Sequence, residues 1–208
     1  QAIPHKQNCD IHVVPNGVDF DYFKPLDCEK QYDVVFCGNM QYEPNVNASV
    51  FLATQVMPLV REVIPTANLL LAGATPKPAV RKLESDFVKV TGTVEDIREC
   101  YAQGRVFAAP MQIGSGLQNK LLEAMAMKIP CVTSSIANNS LGAEPEKEIL
   151  IGETAQELAD HIIDLLQLDD KRQQMAECGY QFVQQNYSWD KIGEQLEQIL
   201  INASNIRI

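Results

Sequence analysis

The stretch Ile113-Gly-Ser-Gly-Leu-Gln-Asn-Lys-Leu-Leu-Glu-Ala-Met-Ala-Met-Lys-Ile-Pro-Cys-Val-Thr133 decides how this chain is read. It predicts a glycine turn, a helix from about Leu117 to Met127, and a buried strand from Pro130 to Thr133. A helix start bared by Gly114 and Gly116 lets an anion approach unpaired backbone N–H groups at the positive end of the helix dipole. Lys120 adds a mobile positive charge one turn from Glu123, whose carboxylate can accept two hydroxyl hydrogen bonds. A diphosphate and a ribose suit that constellation, so the segment is a candidate nucleotide site.

Working outward, the chain alternates strands and helices from Asp33 onward. Short apolar runs at Asp33–Cys37, Ala67–Ala72, Phe87–Thr91, Arg105–Ala109 and Glu148–Ile151 read as further strands. Helical patterns cover Asn45–Ile64, with a kink expected near Pro58, then Lys77–Asp86 and Val94–Gln103, with Glu95 and Asp96 in the first turn. Thr154–Leu168 follows, opened by a Thr154/Glu157 capping box, and then Asp170–Asn186 and Trp189–Ala203, with Ser188 as a cap. Near-continuous apolar strands separated by helices predict an α/β fold: a doubly wound, Rossmann-like parallel sheet with helices on both faces. Ligands of such sheets bind outside the carboxyl ends of the strands. The loops Gly38–Gln41, Gly92–Val94 and Pro110–Gly116 are expected at that edge.

The 208 residues suffice for a full core. A net charge of −10 argues against a nucleic-acid footprint or a polybasic membrane patch. Sequence offers no apolar run of membrane-spanning length. The six cysteines lack C-x-x-C spacing and read as small buried hydrophobes in a reducing, cytoplasmic setting. His5, His12 and His161 are far apart and suggest no metal site. Residues before Asp33 break the alternation: a short strand is expected at Ile11–Val14, then a turn-rich segment. Residues 1–30 therefore read as the end of a preceding domain plus a linker, and residues 31–208 as the α/β domain.

Several segments in order resemble glycosyltransferase family 4, a family of retaining GT-B enzymes. They are Val14-Pro-Asn-Gly-Val-Asp19 with Phe23-x-Pro25, and Phe36-Cys-Gly-Asn-Met40 followed by Pro44-Asn45. Next come Leu69-Leu-Leu-Ala-Gly73 with Pro76, and Thr91-Gly-Thr-Val-Glu-Asp96. The last are Lys120-Leu-Leu-Glu-Ala-Met-Ala126 with Pro130-Cys-Val132, and Tyr187-Ser-Trp189. The resemblance, which runs from about Val14 to Leu200, implies the carboxy-terminal, donor-binding half of a two-domain transferase. Its partners would be a nucleoside-diphosphate sugar, UDP- or GDP-linked, and an amino-terminal acceptor domain of the same polypeptide. It implies no metal and no other cofactor, hexosyl transfer in cell-surface glycan or polysaccharide synthesis, and a place in the cytoplasm or at the inner membrane face. The isolated half is expected to bind donor without transferring sugar.

By that resemblance Glu123 accepts hydrogen bonds from the donor ribose and Lys120 meets the diphosphate. Gly114, Ser115, Gly116 and Leu117 offer close backbone approach, Gly38 and Asn39 form a donor loop, and Thr93 and Val94 contact the base. On residue pattern alone, Glu123 reads equally as a surface acid compensating the dipole, Lys120 as a solvated lysine, and the glycines as turn formers. Two positions depart from the family pattern. Ser115 stands where many members carry an acid, and the loop Asn39–Glu43 lacks the Arg and Lys that others place there. Two rival readings are a non-catalytic nucleotide-binding α/β module and another GT-B enzyme such as a sugar-nucleotide epimerase.

Overall fold

The strand patterns assemble into six all-parallel strands in the computed structural model, which describes residues 11–114 and 116–205. They are β1 (Tyr32–Cys37), β2 (Leu69–Ala72), β3 (Val88–Val90), β4 (Gly104–Ala109), β5 (Cys131–Thr133) and β6 (Leu150–Ile151), in the order β3-β2-β1-β4-β5-β6. Val34, Val35, Phe36, Leu69, Leu71, Val106 and Phe107 lose all exposure because helices cover both faces. Parallel strands buried on both sides tolerate unbroken apolar sequence, which is why these runs do not alternate. The strand order reverses direction at β1 and β4, so their carboxyl ends border the crevice expected at a topological switch point.

Nine helices are described: α1 (Glu43–Phe51), α2 (Met57–Val63), α3 (Pro78–Arg81), α4 (Ile97–Ala102), α5 (Asn119–Ala126), α6 (Ser135–Leu141), α7 (Ala155–Gln167), α8 (Asp169–Tyr187) and α9 (Trp189–Asn205). The helix expected over Asn45–Ile64 is interrupted by a π-helical turn at Leu52–Val56, where the Met57 N–H reaches back to the Leu52 carbonyl. That wider turn lets Pro58 enter the first turn of α2, where its missing N–H is not needed. The Lys77–Asp86 pattern yields only the single turn α3. Asp96 stands one position outside α4 and caps it, its carboxylate accepting the Arg98 N–H at 2.9 Å. Helix α6 was not expected: Ser-Ile-Ala-Asn-Asn-Ser-Leu carries little helical preference, and burial of Ala137 and Leu141 holds it until Gly142 closes it at φ +72°.

The Thr154/Glu157 capping box forms as expected, with both reciprocal bonds present. Ser188 Oγ accepts the Lys191 N–H at 3.4 Å at the start of α9. The strand expected at Ile11–Val14 does not form, and Ile11, Val13 and Val14 are exposed. The chain is instead tied at Val18, whose N–H donates to the Tyr187 carbonyl at 2.8 Å and which bridges Ser188. Gly17 lies beneath Trp189, where a Cβ would fall 2.8 Å from the indole.

At the carboxyl edge, β1 and β2 each end in a glycine, and the two backbones touch. A Cβ on Gly73, held at φ +140°, would sit 1.8 Å from the Gly38 carbonyl oxygen, whereas one on Gly92, at φ +78°, would meet nothing within 4 Å. Gly73→Ala therefore combines strain with a backbone clash and is expected to cost about 3 kcal/mol or more. Gly92→Ala carries the strain alone and is expected to cost about 1–2 kcal/mol. Urea unfolding of the two variants checks this; equal losses would contradict the clash.

Candidate functional site

A cleft of about 480 Å³ opens at the carboxyl end of β1. Its walls are Cys37 at the end of β1, Gly38 and Asn39 after it, Gly73 and Ala74 after β2, and Thr93 and Val94 before α4. Asn45 of α1, Ile97 and Tyr101 of α4, and Leu117, Asn119, Lys120 and Glu123 at the start of α5 complete it. Of the expected site residues, Gly38, Asn39, Thr93, Val94, Leu117, Lys120 and Glu123 thus converge from three separate segments.

Gly114 and Gly116 stand outside that wall, and Ser115 lies outside the described residues. Both glycines have positive φ, +122° and +96°. A Cβ on Gly114 would approach only Pro44, at 3.9 Å, and one on Gly116 nothing within 4 Å. They shape the turn that delivers α5. The preceding Pro110, Met111 and Gln112 line a second cavity of about 310 Å³ together with Ser134, Gly152 and Glu153, so this loop does not share the main cleft as expected.

At the start of α5, Gln118 supplies no side-chain cap, and its carbonyl accepts the Leu121 N–H. Helix amphipathicity explains the rest of α5: Leu121, Leu122, Ala124, Met125 and Ala126 are buried, which leaves Lys120 and Glu123 on the cleft side, each half-buried. Among the described residues no ion pair joins them. Lys120 Nζ donates to Gln118 Oε1 at 2.8 Å and lies 5.8 Å from the centre of the Phe36 ring. Glu123 Oε2 accepts the Tyr101 hydroxyl at 2.7 Å. Burial lowers the Lys120 ammonium to about 8, with the Glu123 charge opposing that fall. Burial also raises the Glu123 carboxyl, while the Tyr101 hydrogen bond and Lys120 hold it down.

Several wall residues escape the sequence reading, Tyr101 and Asn45 among them. Tyr101 is 1% exposed and reaches Glu123 across 22 positions of sequence, a contact that no local spacing encodes. Asn45, 4% exposed, donates from Nδ2 to the Asn39 carbonyl at 2.9 Å, which fixes the amide's orientation and leaves Oδ1 buried without a partner. An orphaned buried acceptor costs about 1–3 kcal/mol. The Pro44-Asn45 pair beside the glycine at the end of β1 was the only signal, and Gly38 is needed because a Cβ there would fall 2.8 Å from Asn45 Nδ2. Gly73 and Ala74, also missed as wall residues, follow the same logic of a strand ending in glycine.

The shared burial of Lys120 and Glu123 makes their titrations interdependent. Lys120 is expected to titrate near pH 8, and Glu123→Gln, by removing the charge that favours the ammonium, to lower that midpoint. An NMR titration of the Lys120 side chain in both forms checks it; a midpoint above 10 would show the amine to be freely solvated.

Residues 31–168 match the family described as Glycosyl transferases group 1. The chain is 26% identical to a GDP-mannose-dependent monoacylated alpha-(1-6)-phosphatidylinositol monomannoside mannosyltransferase of Corynebacterium glutamicum, over 90% of this chain and 55% of that protein. Its fold superposes on Anabaena Alr3699/HepE in complex with UDP with a TM-score of 0.76, at 16% identity, over 92% of this chain and 57% of that one. It also covers all of the C-terminal domain of a glycosyl transferase group 1 family protein (LpcC) from Francisella tularensis, with a TM-score of 0.67 at 16% identity over 83% of this chain. The chain spans about half the length of the curated relatives it matches, 46% and 55%. Its six-stranded parallel sheet with helices around it is an α/β Rossmann-like fold that matches GT-B glycosyltransferase structures. With more than half of its length matched, the chain belongs to the group 1 glycosyl transferases.

Proposed function

We propose that the cleft binds a nucleoside-diphosphate sugar, UDP- or GDP-linked, for transfer of a hexosyl group to an acceptor with retention at the anomeric carbon. The observation that carries this reading is the pairing of Lys120 with Glu123 on the cleft side of a helix start that no side chain caps, at the switch point of the sheet. Glu123 would accept the ribose hydroxyls, and Lys120 would face the diphosphate and stabilise the charge that grows on it as the sugar departs. In this arrangement the positive field comes from Lys120 and the first turn of α5, without a metal ion. Gly38, Asn39, Thr93 and Val94 would meet the donor through backbone groups, and Leu117 would lie against it. The orphaned Asn45 Oδ1 offers an acceptor that a donor N–H or O–H could satisfy after a small shift of the β1–α1 loop.

The acceptor would be bound by an amino-terminal domain of the same polypeptide, joined through the segment tied at Val18. Cytoplasmic work, at the inner membrane face where the acceptor is lipid-borne, agrees with the buried free thiols Cys37 and Cys131. No helix among the described residues is long and apolar enough to cross a membrane. Family membership disfavours the non-catalytic module and the epimerase readings.

Calorimetry of the chain with UDP and GDP tests the proposal. Binding of at least one is expected, with a loss of roughly tenfold or more for Glu123→Ala and for Lys120→Ala, and with no effect of added chelator. Because bound diphosphate favours the charged ammonium, affinity should hold below the Lys120 midpoint of about 8 and fall as pH rises through it. A folded chain that binds neither nucleotide would overturn the reading.

A further inference from the structure

We propose that Tyr101 is a positioning residue for the donor site: its hydroxyl, donated to Glu123 Oε2, fixes the carboxylate and leaves Oε1 to the ribose hydroxyls. This rests on the donor-site reading above. Glutamate on a helix surface samples many rotamers, and a carboxylate that must meet two hydroxyls at once gains from being held in one. Tyr101 supplies that hold from a different element. Its hydroxyl lies 2.7 Å from Oε2 and 3.5 Å from the Lys120 carbonyl, while among the described residues no hydrogen bond or ion pair engages Oε1.

The tyrosine itself has little freedom. Its ring is 5.4 Å from that of Phe107 and meets Phe23 edge-on at 6.4 Å. It sits on α4, which begins just after Thr93 and Val94, so one short helix carries both the proposed base loop and the support for the ribose carboxylate. A tyrosine serving the core alone would be satisfied by a backbone carbonyl such as that of Lys120. Here the shorter bond goes to a side chain on the wall of the cleft.

The bond also favours the ionised carboxylate, the form that accepts hydroxyl donors at both oxygens. Facing Glu123 are Tyr101 from α4, Lys120 from its own helix and the Cys37 thiol at the end of β1. Asp19 of the linker lines the small cavity on its other side. Burial raises the Glu123 carboxyl, and Tyr101 and Lys120 are the two groups that oppose it. Removing the hydroxyl therefore moves the titration of Glu123 to higher pH.

The test compares the unaltered chain, Tyr101→Phe and Glu123→Gln by two measurements. One follows the Glu123 carboxyl carbon by NMR as pH is varied, without ligand. The other is calorimetry with UDP and GDP from pH 5 to 7.5. Phenylalanine keeps the ring packing, so thermal melting should stay close to that of the unaltered chain. Tyr101→Phe is expected to raise the carboxyl midpoint, to shift the acid limb of nucleotide affinity upward by the same amount, and to weaken binding about tenfold at pH 7. Glu123→Gln should bind weakly and keep only the acid limb that the nucleotide's own terminal phosphate imposes at about pH 6. Coincident carboxyl midpoints in the unaltered and Tyr101→Phe chains would overturn the proposal whatever binds, as would separated midpoints with an unshifted affinity profile. If the unaltered chain binds neither nucleotide, the donor-site reading fails, and separated midpoints would still uphold the hold of Tyr101 on the carboxylate.

Discussion

Everything at the carboxyl edge depends on the reversal of strand order between β1 and β4. The chain leaves β1 for β2 on one side and β4 for β5 on the other, and right-handed crossovers then send the two following helices to opposite faces. The packing agrees: α1 meets α3 and α2 meets α7 in one layer, while α5 meets α8 in the other. The cleft at the end of β1 is lined by the loops that follow the strands, by Ile97 and Tyr101 of α4 and by Lys120 and Glu123 of α5. Gly38 and Gly73 keep it open by letting two strand ends touch without side chains between them. A sheet of the same composition without that reversal would bury Lys120 and Glu123 against a neighbouring helix or leave them in water.

The amino-acid sequence makes the scaffold legible because its forces are local or periodic. Strands β1, β2 and β4 are apolar runs that only a doubly covered sheet can hide. Thr154 with Glu157 announces α7 because a capping box spans four consecutive positions. What stayed hidden arises from contacts between distant positions. Helix α6 is held by burial of Ala137 and Leu141 against the rest of the fold, which its own composition does not advertise. The π-helical turn at Leu52–Val56 places the disturbance ahead of Pro58 rather than at it, since the widened turn is how the helix accommodates the lost N–H. Ile11–Val14 has strand-like residues but no neighbouring strand among the described residues, so its pattern finds no ladder to join.

The candidate site divides in the same way. Lys120 and Glu123 could be placed together from a spacing of three on an amphipathic helix, and Gly38, Asn39, Thr93 and Val94 from the rule that loops after parallel strands share one edge. Gly114 and Gly116 are ambiguous for a physical reason: glycine marks both a close backbone approach and a positive φ, and both have the positive φ that the turn uses. Tyr101 and Asn45 show the limit of spacing arguments. One is recognisable only by the carboxylate it meets, the other only by the acceptor it leaves unmet.

Charge completes the argument. A chain with a net charge of −10 presents a repulsive field to a diphosphate at long range. Near the cleft the balance is local. The β1–α1 loop and the first turn of α1 contribute amides at Asn39 and Asn45 rather than cations, and Lys77 is spent on Glu43 at the surface. Lys120 is thus the cation on the cleft wall, and partial burial gives its charge more reach than a solvated lysine would have, because fewer water dipoles screen it. The same burial that strengthens Lys120 works against it by favouring the neutral amine, and Glu123 on the next turn offsets that loss. Glu123 faces the mirror-image problem, answered by Lys120 and by the Tyr101 hydroxyl. The three groups therefore form one unit in which each keeps another in its useful protonation state, and a change to any of them alters the charge of the cleft as well as its shape.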